Sequence, residues 1–332
     1  MNALKRRSRG GRRAVLAASA AGVLALALSG CVTVHGETAM VPATDKGEAA
    51  KVLRKFTAEN NRANRTLDAR HNATIETGVL GAIDQAGLRA RKGAGEQRNR
   101  TYEPLRLTDA RYFIPEQAGW PKFFVADTKA NRGEGNRWLL VFQRGRHDAP
   151  WKASYLAVVP ERQVPRFARD ADGRAKAVVP GGAGLATDPS KLPRTYARYL
   201  QDGSGDVFAP GRFTDELRAE RDKQLKETHV RNEYIDQSAA TAQYPTFGLR
   251  TADGGALVFF ATHHHHKQTL PRGYTPKIKD PLVKALTTGK PKQSVTFHRM
   301  AQQAVQVPAA DDTKGRVAFR SRIQGLIRVD GE

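Results

Sequence analysis

Trp120-Pro121-Lys122-Phe123-Phe124-Val125 is the stretch whose reading decides the fold, because the chain carries its pattern twice. Tyr244-Pro245-Thr246-Phe247-Gly248-Leu249 repeats the order aromatic, proline, variable residue, phenylalanine. Further on, Leu140-Val141-Phe142 matches Leu257-Val258-Phe259. In each copy an apolar strand passes through a glycine-containing turn into a second apolar strand. The first turn is NRGEGN, residues 131–136, and the second holds Asp253-Gly254, a strong hairpin signal. Pro121 and Pro245 are 124 residues apart and Val141 and Val258 are 117 apart, a difference that the longer first turn absorbs.

Working outward, each copy is preceded by a helical pattern. Asp45 and Glu48 form a box-like start, and Val52, Phe56, Ala63 and Leu67 then share one helical face. Ile75, Val79, Ile83 and Leu88 predict a second helical piece, ended by Lys92-Gly93-Ala94-Gly95. Ahead of the second copy, Thr214 is the expected cap of a charged helix reaching Val230, with Asp215 and Glu216 in its first turn. RYFIP, PKFFVAD, RWLLVFQR and ASYLAVV read as strands in the first half. TFGLR, ALVFFATHHHH, QSVTFHRM, QAVQVPA and RVAFRSRIQGLIRV read as strands in the second. The pattern is α+β: two tandem domains, 48–180 and 190–332, each a long helix packed on a curved antiparallel sheet. A Pro-, Gly-, Arg- and Asp-rich stretch from Pro160 to Pro210 separates them. Helix followed by antiparallel strands resembles the cystatin-like and nuclear-transport-factor-like cone.

The N-terminus supplies an address. Residues 1–13 carry six basic side chains and no acid, and Ala14 to Leu28 is uncharged. A basic head and a short apolar body mark a secretory signal, here residues 1–30, too short for the ~20 residues of a membrane-crossing helix. Leu28-Ser29-Gly30-Cys31 resembles the lipobox of bacterial lipoproteins, with cleavage between Gly30 and Cys31. The resemblance implies a diacylglyceryl thioether on Cys31, the chain's single cysteine. Residues 31–47 then form a lipidated tether. Export by the general secretory or the twin-arginine route fits, the latter through Arg12-Arg13. The whole chain is similar to uncharacterised actinobacterial lipoproteins of the Streptomyces kind. A membrane anchor on the outer face of the cell membrane is thus expected, and no internal disulfide is possible.

The formal net charge is +22, and removing the six basic residues of the signal leaves +16. An exported chain of this charge meets anionic lipid or wall polymer and not nucleic acid. The expected role is a non-catalytic binding or scaffold protein at the envelope, with an unknown protein among its partners. The alternative is an envelope enzyme with a site inside one of the cones. The residues imply no cofactor and no catalytic set. Cone-shaped folds hold an Asp or Glu base in their pocket in some members; Asp127 and Glu103 are examples of carboxylates here, and nothing singles one out. His263 and His265 point one way along a strand and are weak metal candidates, with His298 or Asp280 as the third ligand. Gly181-Gly182-Ala183-Gly184 and Gly203-Ser204-Gly205 lack the strand and helix contexts of a phosphate loop or a nucleophile elbow and read as linker.

Overall fold

The computed structural model describes residues 39–179 and 181–332. In chain order the first half holds β1 (Val41–Pro42), α1 (Lys46–Thr66), α2 (Ala69–Asn72), α3 (Gly78–Gly93), β2 (Leu107–Phe113), β3 (Glu116–Gln117), β4 (Lys122–Ala130), β5 (Asn136–Arg144) and β6 (Lys152–Pro160). The second half holds α4 (Leu192–Asp202), α5 (Asp215–Leu225), β7 (Arg231–Ser238), β8 (Phe247–Arg250), β9 (Ala256–Thr269), α6 (Pro281–Ala285), β10 (Thr287–Gly289), β11 (Ser294–Val307) and β12 (Ala318–Gly331). The chain is α+β, as its sequence pattern requires.

Strands of the first half pair in the order β2-β4-β5-β6, all antiparallel. Those of the second run β10-β12-β11-β9-β7, with β8 on the same side of β9 as β7. β9 accommodates both neighbours because it is 14 residues long: Ala256–Phe259 pair with β8 and Thr262–Thr269 with β7.

The faces of these sheets explain the apolar runs. In β4, Phe123 and Val125 point one way, and Phe124 and Ala126 the other; all four are buried. Phe124, Leu140 and Phe142 pack under Leu53 and Phe56 of α1. Along α1 the buried positions Ala49, Leu53, Phe56, Asn60 and Ala63 recur at helical spacing, so one stripe faces the sheet. The other face, with Phe123, Val125, Leu139, Val141 and Tyr155, meets Phe247, Leu249, Leu257 and Phe259 of the second sheet. The far face of that sheet, with Val258, Phe260 and Val305, packs under Leu192, Tyr196 and Leu200 of α4. The layers therefore run helix, sheet, sheet, helix, and the central core belongs to both halves. Strands buried on both faces read as unbroken apolar runs, which is why PKFFVAD and ALVFFAT show no alternation.

The repeated segments meet across this core. Phe123 and Phe247 lie with ring centroids 4.6 Å apart. The register corrects the second match by one residue. Val125 pairs with Val141 and Leu249 with Leu257, all on the shared face, whereas Val258 points to α4. Val141 thus corresponds to Leu257, at 116 residues. A shift of one exchanges the two faces of a strand, and the run LVF conceals it because every member is apolar.

Other expectations are revised locally. Residues expected to tether the body through position 47 are already docked from Val41, which pairs with Gln117, and Ala43 is buried. Asp45 caps α1 as expected, accepting from the Glu48 N–H at 2.8 Å. Ile75 precedes α3 instead of lying in it, since Ile75–Thr77 is pinned to Ala153 at the start of β6. Thr214 occupies the N-cap position of α5 as expected, with Asp215 and Glu216 in the first turn, but its hydroxyl makes no cap bond and turns back to the carbonyls of Ala209 and Gly211; the helix stops at Leu225, short of Val230. QSVTFHRM and QAVQVPA are parts of one strand, β11. The linker is partly ordered on the second sheet, where Ala177 bridges Leu249 and Phe167 bridges Thr251. The edge of β6 is also covered: its Leu156 and Val158 N–H groups donate to Gln302 Oε1 (2.7 Å) and Ser321 Oγ (3.1 Å). Among the described residues no helix is long and apolar enough to cross a membrane. The signal, Gly30 and Cys31 lie outside the described residues.

Candidate functional site

Thr77 donates its N–H to the Ala153 carbonyl, and Ala153 donates to that of Ile75. This clamp fixes Glu76 at the end of the first sheet, with its side chain against α3. On α3, Leu80, Asp84, Gly87, Leu88 and Arg91 recur at helical spacing and face a cavity of ≈ 610 Å³. α1 contributes Phe56 and Asn60, the first sheet Trp138, Leu140 and Leu156, and α6 and β12 close the side with Leu282, Val283 and Leu326. Gly325 is required here, because a Cβ would stand 2.4 Å from Ile83 Cγ2. The size suits an organic ligand, and the lining is apolar apart from a few polar groups.

Two of those polar groups are carboxyls. Glu76 is 2% exposed, and neither of its oxygens has a hydrogen-bond donor among protein groups. Burial drives its pKa well above the usual carboxylate range, and the neighbouring Asp84 charge adds to this; Asn72 opposes it in part. Burial also raises Asp84, to about 6, and the neighbouring Glu76 carboxyl offsets some of that. The two carboxyls therefore titrate as a unit. Both hold their protons to higher pH than free acids do. The arginines at the rim are otherwise engaged: Arg91 with Glu96 at 2.6 Å, and Arg132 with the Glu103 carbonyl and the Tyr102 ring.

The histidine run does not build a metal centre. His263 and His265 do share the inner face, with rings 6.2 Å apart, and His265 Nδ1 lies 2.7 Å from His298 Nδ1. His298 Nε2 is held by Asp330 at 2.8 Å. Yet among the described residues no three His, Cys, Asp or Glu side chains converge on one ion position. Asp280 is elsewhere, capping α6. On the outer face, His264 sits between Thr262 Oγ1 at 2.7 Å from Nε2 and Asp236 at 2.5 Å from Nδ1, and Arg221 clamps Asp236 at 2.6 and 3.1 Å. The order hydroxyl, imidazole, carboxylate is that of a nucleophile and its base. Thr262 has no exposed surface, so no substrate reaches it; the array holds β9 to β7 and α5. Burial pulls His264 down to about 4, keeping it neutral.

Asp127 is not a pocket base. It is buried against Arg137, whose guanidinium also binds Asp109 at 2.7 Å, and the ion pair staples β2, β4 and β5. Glu103 is exposed and accepts from Asn131. Glu76 and Asp84 carry no sequence signal as a pair: eight residues apart, in NATIETGVLGAIDQ, they look like a turn acid and a helix-surface acid.

Residues 40–330, nearly all of the described chain, match the family model described as a domain of unknown function (DUF8094). The chain belongs to the DUF8094 family. Relatives include an uncharacterized lipoprotein of Streptomyces avermitilis, 46% identical over 320 residues, which are 96% of each chain. Another, from Streptomyces coelicolor, is 42% identical over 98% of each chain. A second lipoprotein of that organism is 26% identical over 89% of each. The similarity to Streptomyces lipoproteins expected from the sequence is therefore found. No solved structure matches the chain.

Proposed function

We propose that this DUF8094 member is an exported lipoprotein, anchored to the outer face of the cell membrane through Cys31, that binds a small amphiphilic ligand in the cavity around Glu76 and Asp84. The supporting observation is the carboxyl pair itself. A buried acid without a donor is costly unless a ligand completes it, and the walls around it are largely apolar. The ligand class that answers this geometry has an apolar body and a cationic or hydrogen-bond-donating head. In this reading residues 1–30 are the signal, the tether runs from Cys31 to Met40, and the two halves are copies of one cone-like unit packed back to back, with helices outermost.

Calorimetric titration with decylamine and decanoate tests the binding role. Decylamine is expected to bind more tightly above pH 6, where the pair is charged, and Asp84→Asn is expected to weaken it at least tenfold. Equal binding of decanoate, insensitive to Asp84→Asn, would refute it. The value of about 6 for Asp84 also favours a second reading, general acid–base catalysis on such an amphiphile. Turnover of a bound amphiphile, lost in both Asp84→Asn and Glu76→Gln, would decide for the enzyme.

A further inference from the structure

Three of the large apolar side chains left exposed lie together where the chain enters the fold: Met40, Val41 and Trp120. Val41 pairs with Gln117, and the Gln117 carbonyl accepts from Lys122 Nζ at 2.5 Å. Buried Lys122 and half-buried Arg144 each stand 5.6 Å from the Trp120 ring, and Arg144 also lies 4.7 Å from that of Trp151. Exposed Pro42 and Pro121 extend the apolar surface, and exposed Lys46 and Arg146 flank it. The acids here are engaged: Glu48 with Arg144 at 3.5 Å and Asp148 with Arg146 at 2.6 Å. Asp45 caps α1.

We propose that this patch is a docking surface for an anionic lipid bilayer, seating the body in one orientation on the membrane. Indole rings favour the boundary between headgroups and hydrocarbon, and lysine and arginine stems lie along apolar surface while their charges stay at headgroup level. Basic groups near an anionic leaflet attract it and lose this attraction with salt. Position carries the argument further. Ten residues separate Cys31 from Val41, and at ~3.5 Å each they span at most about 35 Å. The point where Val41 joins the body is thus held near the bilayer, and exposed Met40, Val41 and Trp120 are gathered there with exposed Lys46 and Arg146 at their flanks. This inference rests on acylation of Cys31, and not on any ligand in the Glu76 cavity.

The test uses the full lipid-anchored protein in vesicles of phosphatidylglycerol and phosphatidylcholine carrying brominated acyl chains, which quench tryptophan at the interface. The chain has three tryptophans, of which Trp120 is exposed. Emission is expected to be quenched, and Trp120→Phe to remove at least half of the quenched signal. Arg144→Gln is expected to weaken quenching in anionic but not in neutral vesicles. Met40→Ser, at a position without packing duties, is expected to weaken it in both. Unquenched wild type, or quenching unchanged by Trp120→Phe, overturns the proposal. So does a dimer in detergent that Trp120→Phe dissolves in the absence of quenching, because the patch would then face a second copy of this chain.

Discussion

Replacing Glu76 by glutamine isolates the carboxyl pair. In the wild type both acids are protonated at pH 4, and at pH 8 the folded state must hold at least one charge in a poorly solvated place. The unfolded chain ionises near 4.5 and 3.8, and Asp84 in the fold near 6. A folded-state pKa above the unfolded one means that the folded state binds more protons between the two. Stability is then fully present below the unfolded value and falls as pH rises through the window from about 4 to 6 and, for Glu76, beyond. Two units on Asp84 correspond to about 3 kcal/mol, reduced to about 2 because its carboxylate is partly open to solvent. Glutamine removes the titrating proton at residue 76 and donates a permanent hydrogen bond to Asp84. Glu76→Gln is expected to stabilise by about 1–3 kcal/mol at pH 8 and by almost nothing at pH 4. Urea midpoints at pH 4, 6 and 8 measure this. A variant destabilised equally at all three would refute the coupled pair, and with it the charge that the ligand proposal uses.

Arg137→Ala is expected to cost about 3–5 kcal/mol in urea unfolding, because it strands the buried Asp127 carboxylate; a loss under 1 kcal/mol would show that the carboxylate is not buried. Phe247→Ala is expected to cost about 3–5 kcal/mol in a single transition that near-ultraviolet and far-ultraviolet signals report alike, since its ring serves the core of both halves. Two separate transitions would contradict a shared core. His264 titrates lower in the fold than the ordinary 6.5, so wild-type stability falls as pH drops from 6.5 toward 4. His264→Gln is expected to flatten that decline, and an unchanged slope would remove His264 from its cause. Cys31→Ser is expected to abolish palmitate labelling in cells; equal labelling of the variant would sink the assignment of the anchor.

The sequence was most informative where one residue type has one physical use. Asp45 read correctly as a cap, and Asp253-Gly254 as a hairpin turn, because few conformations suit them. The apolar runs of β4 and β9 announce strands, but not which side faces which neighbour, so matching LVF to LVF lies one residue away from the hairpin register. The helix–sheet–sheet–helix stacking was not legible: a strand buried on both faces looks the same whether a helix or a second sheet covers it. The site was hidden for a different reason. Burial converts Glu76 and Asp84 from ordinary acids into a coupled pair, and burial here depends on α6 and β12, some 200 residues downstream. The histidines misled in the opposite direction, because four in a row attract attention while pleating divides them between two faces.

The shared core also sets a timetable for folding. Phe123, Val125, Leu139, Val141 and Tyr155 acquire most of their covering when Phe247 to Met300 arrive. Under the export proposed above, a chain threaded through a translocon from its N-terminus passes the 92 residues from Tyr155 to Phe247 with much of one apolar sheet face bare. A chain folded before crossing spends that interval in the cytoplasm. If the proposed export holds, the route decides where the unfinished half is sheltered, and this falls hardest on variants that slow the second sheet.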